Sequence, residues 1–148
     1  MSLDTTQLWH SRAKPWPTTD DFNVQLGCHI EEFVEMLDCL AVIGYDSPAG
    51  YDLIQAVTAL DHLADALKGG EAKMQILSRS ELLDSLADQV VTAVGAGYRA
   101  GMDVPTAVQR VNISNWSKFD ANGEPIFDEN GKIAKGPNYL PVDLEGLY

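Results

Sequence analysis

Three long stretches of this chain repeat apolar residues every three or four positions, and turn formers close each one. That period commits the chain to packed helices. From about Asp20 to Ile43, Phe22, Leu26, Ile30, Phe33, Val34, Leu37, Leu40 and Ala41 recur at helical spacing, with Thr18, Thr19 and Asp20 as N-cap choices. GYDSPAG (44–50) breaks the pattern. A second helix is predicted from about Tyr51 to Lys68, striped by Leu53, Ile54, Val57, Leu60, Leu63, Ala64 and Leu67 and ended by Gly69-Gly70. Ser78-x-x-Glu81 reads as a capping box opening a third, about 79–100, whose interior Gly95 and Gly97 imply a close helix approach. Asp103 and Pro105 start a fourth, about 104–118, with Ala107, Val108, Val111 and Trp116 as core contacts.

The ends differ from this pattern. Residues 1–19 hold WHSRAKPWPTT, with two prolines and two tryptophans, and read as an irregular arm packed through its aromatics. Residues 119–148 read as a tail, with PIFDENGKIA forming a short hairpin around Asn130-Gly131. The expected fold is all-α, a four-helix-type bundle with an irregular or hairpin C-terminal tail. At 148 residues the length leads one to expect a single domain.

Net charge is -12, from 10 basic and 22 acidic residues, which disfavours polymeric nucleic acid because few phosphates would be neutralised. No apolar run reaches the roughly 20 residues of a membrane span, and MSLDTTQLWH lacks a signal-peptide pattern, so a cytoplasmic location is expected. Cys28 and Cys39, on one helix, would sit roughly 16 Å apart, too far for a disulfide. They read as reduced, partly buried thiols. His10, His29 and His62 show no triad or metal spacing.

The acidic residues are not scattered. In CHIEEFVEMLD, Glu31, Glu35 and Asp38 share about 60° of helical arc, with Glu32 beside them. On the third helix Glu81, Asp84 and Asp88 share a similar sector, with Ser85 between them. Either face taken alone is what a solvated helix surface looks like. Taken as a pair, carboxylates on two bundle helices are also how hard cations such as magnesium are held.

Glu31-Glu32-Phe33-Val34-Glu35 has the form EExxE. ELLDSLADQVVTAVGAGYRAGMD, VNISNWSKF and PIFDENGKIAKGPNYLPVDL follow in order. Together, over roughly residues 22 to 144, these segments resemble the MazG-like all-α NTP pyrophosphohydrolases, in particular the phosphoribosyl-ATP pyrophosphohydrolase-like branch of bacteria and phages. The resemblance implies Mg²⁺-dependent hydrolysis of a nucleoside or deoxynucleoside triphosphate to monophosphate and pyrophosphate, with Mn²⁺ an alternative ion. It also implies a homo-oligomer, dimer or tetramer. Glu31, Glu32 and Glu35 match the family's first metal motif and Asp88 the aspartate of its second; Glu32, Glu35, Asp84 and Asp88 are the expected metal ligands, with Asp84 taking the place of the motif glutamate and Glu81 a weaker substitute. Glu31 or Glu32 is the implied base. Asn115 and Lys118 are the implied substrate contacts; Lys135 and Asn138 are further candidate contacts, which with Lys132 could close over a phosphate as a lid or else belong to a solvated hairpin.

The chain departs from the family pattern where the glutamate of ExxD falls on Ser85, and a whole helix separates the two acidic motifs. Phosphoribosyl-ATP hydrolysis is the nearest alternative, and a non-catalytic helical binding or assembly protein is the alternative of a different class.

Overall fold

The structure, a computed structural model, describes residues 3–43, 48–128 and 133–148. Among the described residues it is all-helical, with five helices: α1 (Leu3–Ala13), α2 (Thr19–Asp38), α3 (Pro48–Lys68), α4 (Arg79–Arg99) and α5 (Val104–Trp116). None of them is long and apolar enough to cross a membrane. The chain divides into two units, Pro17–Leu77 and the residues that flank it, up to Trp16 and from Ser78 onward.

The residues expected to form an irregular arm contain a helix. Asp4 lies in its first turn and His10 and Arg12 in its last, each matching the sign of the helix dipole there. Thr6, Trp9 and Ala13 fall on one face at i, i+3 and i+7. The prolines at 15 and 17 stand beyond the helix end, as stop signals. The bundle expectation of four helices is therefore one short. α2 also ends at Asp38, earlier than expected, and α3 begins at Pro48, a residue suited to a first turn.

In the Pro17–Leu77 unit, α2 and α3 form an antiparallel pair. Thr18 caps α2 with a full capping box to Asp21. The seam runs through Asn23, Gly27 and Val34 on α2 and Gly50, Ala64 and Leu67 on α3. It lies to one side of the predicted apolar stripe, so Phe33 and Leu40 remain exposed. Gly27 sets the spacing, since a Cβ there would stand 2.8 Å from the Ala64 carbonyl oxygen and 2.9 Å from Lys68 Cγ. Buried Asn23 accepts the Met74 amide at 2.6 Å and donates to the Thr19 carbonyl at 2.9 Å, tying the segment after α3 back onto α2. Cys28 is half-buried and Cys39 exposed, both free, so the expected partial burial fails for the second.

In the other unit α5 is the hub. Asp103 caps it by accepting from the Thr106 amide. Thr106, through its hydroxyl and then its amide, holds the Asp103 carboxyl below its usual range. That contribution to stability is complete above pH 3.8 and is lost as pH falls through the lowered value. The Thr6 hydroxyl donates to Asn112 Oδ1 at 3.0 Å, and the Trp9 indole N–H donates to the Asn115 carbonyl at 2.9 Å, docking α1. The tail runs back along the helix: Ser114 donates to the Leu140 carbonyl at 2.7 Å, Arg110 donates to the carbonyls of Asp143 and Glu145, and the Asp103 amide donates to the Leu147 carbonyl. The buried residues of α5 are Asn112 and Ser114. Of the expected core contacts, Ala107, Val108 and Trp116 are half-buried and Val111 is exposed.

The predicted hairpin appears as one antiparallel bridge, Phe127 with Ile133, and an Ala134 amide bond to the Ile126 carbonyl. Its turn at Asn130-Gly131 lies outside the described residues, as does Lys132. α4 meets α5 at Gly97, where a Cβ would clash with Val104 Cγ2. Gly95 shows no such approach of a second helix: a Cβ there meets the end of the Arg99 side chain, at 3.2 Å.

Two glycine substitutions separate these cases. Gly27→Ala is expected to destabilise by about 1–3 kcal/mol, because the Ala64 carbonyl cannot yield. Gly95→Ala is expected to stabilise by up to about 1 kcal/mol, from helix propensity alone. Urea unfolding midpoints for both variants check the pair.

Candidate functional site

Two chemically different regions emerge. The Pro17–Leu77 unit holds two basic residues, Lys68 and Lys73, against eleven acidic ones. Eight of the ten basic residues lie in the other unit.

On α2 the three motif glutamates are not equivalent. Glu31 faces the α3 seam, where its Oε1 accepts from Lys68 Nζ at 2.6 Å, and Asp65 joins the same ammonium at 3.1 Å. The Glu31 hydrogen bond, opposed by partial burial and reinforced by Asp65, pushes Lys68 up to about 12. The ammonium is therefore charged throughout the physiological range. Glu32 and Glu35 are exposed, and no ion-pair partner meets either among the described residues. The sector expected to hold Glu31, Glu35 and Asp38 is thus not uniformly solvated, because Glu31 is half-buried and paired. A helix C-terminal lysine 37 residues downstream captures it, and local periodicity carries no sign of that pairing.

On α4, in the other unit, Glu81, Asp84, Ser85 and Asp88 are exposed. Asp84 and Asp88, at i and i+4, lie one turn apart on one face. Among the described residues of each unit, no three His, Cys, Asp or Glu side chains gather closely enough to hold a metal ion. The donor chemistry within each unit nonetheless suits a hard cation: Glu32 and Glu35 on α2, and separately Asp84 and Asp88 on α4, offer carboxylate oxygens that no lysine or arginine neutralises among the described residues.

The substrate candidates come from two segments that the fold brings together. A Cβ on Gly136 would stand 3.1 Å from the Lys118 carbonyl oxygen and 2.6 Å from Ile126 Cδ1, so KGPNY lies directly against the end of SNWSK. The Leu140 amide donates to Ser117 Oγ at 2.7 Å, closing the same junction. Lys118 Nζ donates to Asn115 Oδ1 at 2.8 Å and stands 5.9 Å from the Trp9 ring centroid. Lys135 Nζ lies 5.0 Å from the Tyr139 ring centroid. Lys135 and Asn138 are exposed, whereas Asn115 and Lys118 are half-buried. Trp116 packs edge-on against Phe119, with centroids 5.3 Å apart, as a core residue would.

These observations define an all-helical protein with an acidic helix pair in one unit and a lysine-bearing junction in the other. No protein-family model, curated protein or solved structure matches the chain.

If Glu31 serves the α2–α3 seam, its substitution is felt in stability. Glu31→Gln is expected to lower the unfolding free energy by about 0.5–1 kcal/mol, the range of a partly exposed pair. Glu32→Gln is expected to change it by less than about 0.5 kcal/mol. Urea unfolding of the two variants beside wild type makes the comparison.

Proposed function

We propose that the protein is a Mg²⁺-dependent nucleotide pyrophosphohydrolase of the MazG-like kind. Its substrate would be a nucleoside or deoxynucleoside triphosphate, cleaved to monophosphate and pyrophosphate. The observation that carries this reading is the junction of SNWSK and KGPNY. Two segments about twenty residues apart in sequence, singled out on resemblance, lie in contact, with their lysines held by neutral amide and aromatic groups. In a chain of net charge -12, such lysines are the groups able to meet a polyphosphate.

Glu32 and Glu35 on α2 are the proposed cation ligands of one unit, and Asp84 and Asp88 on α4 those of the other, with Mn²⁺ an alternative to Mg²⁺. A bound cation would supply charge neutralisation of the phosphates and of the developing transition state. The chain's own parts have separate tasks. Glu32, which Lys68 does not hold, is better placed than Glu31 to take a proton from the attacking water. Lys118 and Lys135 bind and orient phosphate oxygens, while Asn115 and Asn138 offer amide hydrogen bonds.

The reading includes a homo-oligomer. α4 leaves an apolar row open, with Leu83 at 70%, Val91 at 68% and Tyr98 at 80% exposure. Apolar exposure along a helix of this length is characteristic of an association surface.

The reading is tested by incubating purified protein with Mg²⁺ and a panel of NTPs, dNTPs and phosphoribosyl-ATP, and by quantifying monophosphate and pyrophosphate. Release of pyrophosphate that falls at least about 100-fold in Asp88→Asn is the expected result. Silence across the panel, with Mn²⁺ also tried, would overturn it.

A further inference from the structure

Trp9 belongs to the segment expected to be an irregular arm, and nothing in the proposed chemistry calls on it. Its surroundings say otherwise. The indole N–H donates to the Asn115 carbonyl at 2.9 Å. The ring stacks on Phe119, with centroids 5.7 Å apart and planes 17° from parallel. Lys118 Nζ stands 5.9 Å from the same ring's centroid and donates to Asn115 Oδ1 at 2.8 Å. One indole therefore fixes the backbone of residue 115, whose side chain holds the lysine, and supplies the surface over which that lysine lies.

The chemistry of this grip matters. A lysine side chain is a flexible stem ending in a point charge, and fixing it in place costs rotamer entropy. A carboxylate would fix it at the expense of its charge. An amide oxygen and an aromatic face hold it without neutralising it, because the attraction to the ring quadrupole leaves the ammonium cationic. Asn115 uses one of the three N–H donors, leaving the others for a ligand. No carboxylate pairs with Lys118 among the described residues.

We propose that Trp9 is a positioning residue for polyphosphate binding, presenting Lys118 as a preset, unneutralised cation to the phosphates. This rests on the reading of Lys118 as a phosphate contact. It assigns to α1 a function within the site that the helix-to-helix packing by itself does not require.

The test is a double-mutant cycle read by titration calorimetry with inorganic triphosphate and Mg²⁺. Trp9→Leu is expected to weaken triphosphate binding roughly threefold to fivefold, the scale of a lost cation–π contact. In a Lys118→Ala background the same change is expected to have no further effect, because its target is gone. Trp9→Phe, which keeps a ring of weaker quadrupole and is less disruptive to folding, is expected to lose about twofold, again only when Lys118 is present.

Equal losses in both backgrounds, or none in either, would overturn the proposal, as would failure of the wild-type protein to bind triphosphate. Nucleotide hydrolysis measured on the same samples separates the two readings. Coupled triphosphate binding without hydrolysis leaves Trp9 in this role and removes the hydrolase. Hydrolysis with uncoupled Trp9 and Lys118 does the reverse.

Discussion

Three buried polar side chains, Asn23, Asn112 and Ser114, hold the chain's distant segments in register. A polar group taken out of water must find a partner or cost about 1–3 kcal/mol. Each finds it far along the sequence. Asn23 takes the Met74 amide, Asn112 takes the Thr6 hydroxyl, and Ser114 gives its hydroxyl to the Leu140 carbonyl. The buried apolar side chains are few among the described residues: Ala13, Val34, Ala64, Leu67 and Phe119. Apolar packing of that extent permits sliding, whereas a hydrogen bond to one particular atom does not. The polar pins therefore fix which residues meet, and the junction of Lys118 with the 135–139 segment follows from the Ser114 and Ser117 pins.

The second organising fact is the uneven placement of the basic residues, since the acidic ones divide eleven and eleven between the two units. Acidic residues dominate the α2–α3 unit, and Lys68 is spent on Glu31 and Asp65 at its seam. The basic residues concentrate in the other unit, where Lys118 and Lys135 are held by amide and aromatic groups. Under the proposed function, these unneutralised lysines offset for a polyphosphate the repulsion expected of a chain of net charge -12. Glu31 and Glu32, interchangeable on paper, are distinguished by the α3 lysine that holds one of them.

Much of the helical architecture is legible in the sequence because it rests on local signals. The 3.6-residue period, the Thr18, Ser78 and Asp103 caps and the Gly69-Gly70 stop all act within one or two turns. The misreading of α1 has a similar scale: prolines at 15 and 17 suggested an irregular backbone through the whole packed arm, although they only bar helix beyond Ala13. What the sequence concealed depends on long-range partners. Lys68 reaching Glu31, Trp9 reaching Asn115 and the seam shifted to Gly27 all join residues that no local period relates. The candidate ligands and contacts were legible by resemblance, but not the division of tasks among the α2 glutamates.

Cation binding by the exposed α2 carboxylates Glu32 and Glu35 is the event on which the proposed function most directly depends. Electron paramagnetic resonance of free Mn²⁺ titrated with the protein addresses it directly, without reference to any substrate. The account predicts that wild-type protein removes the free-ion signal, that Glu31→Gln does so nearly as well, and that a Glu32→Gln, Glu35→Gln double variant binds about tenfold more weakly or worse. A free-ion signal untouched by the wild-type protein, or lost equally to the double variant, would contradict it.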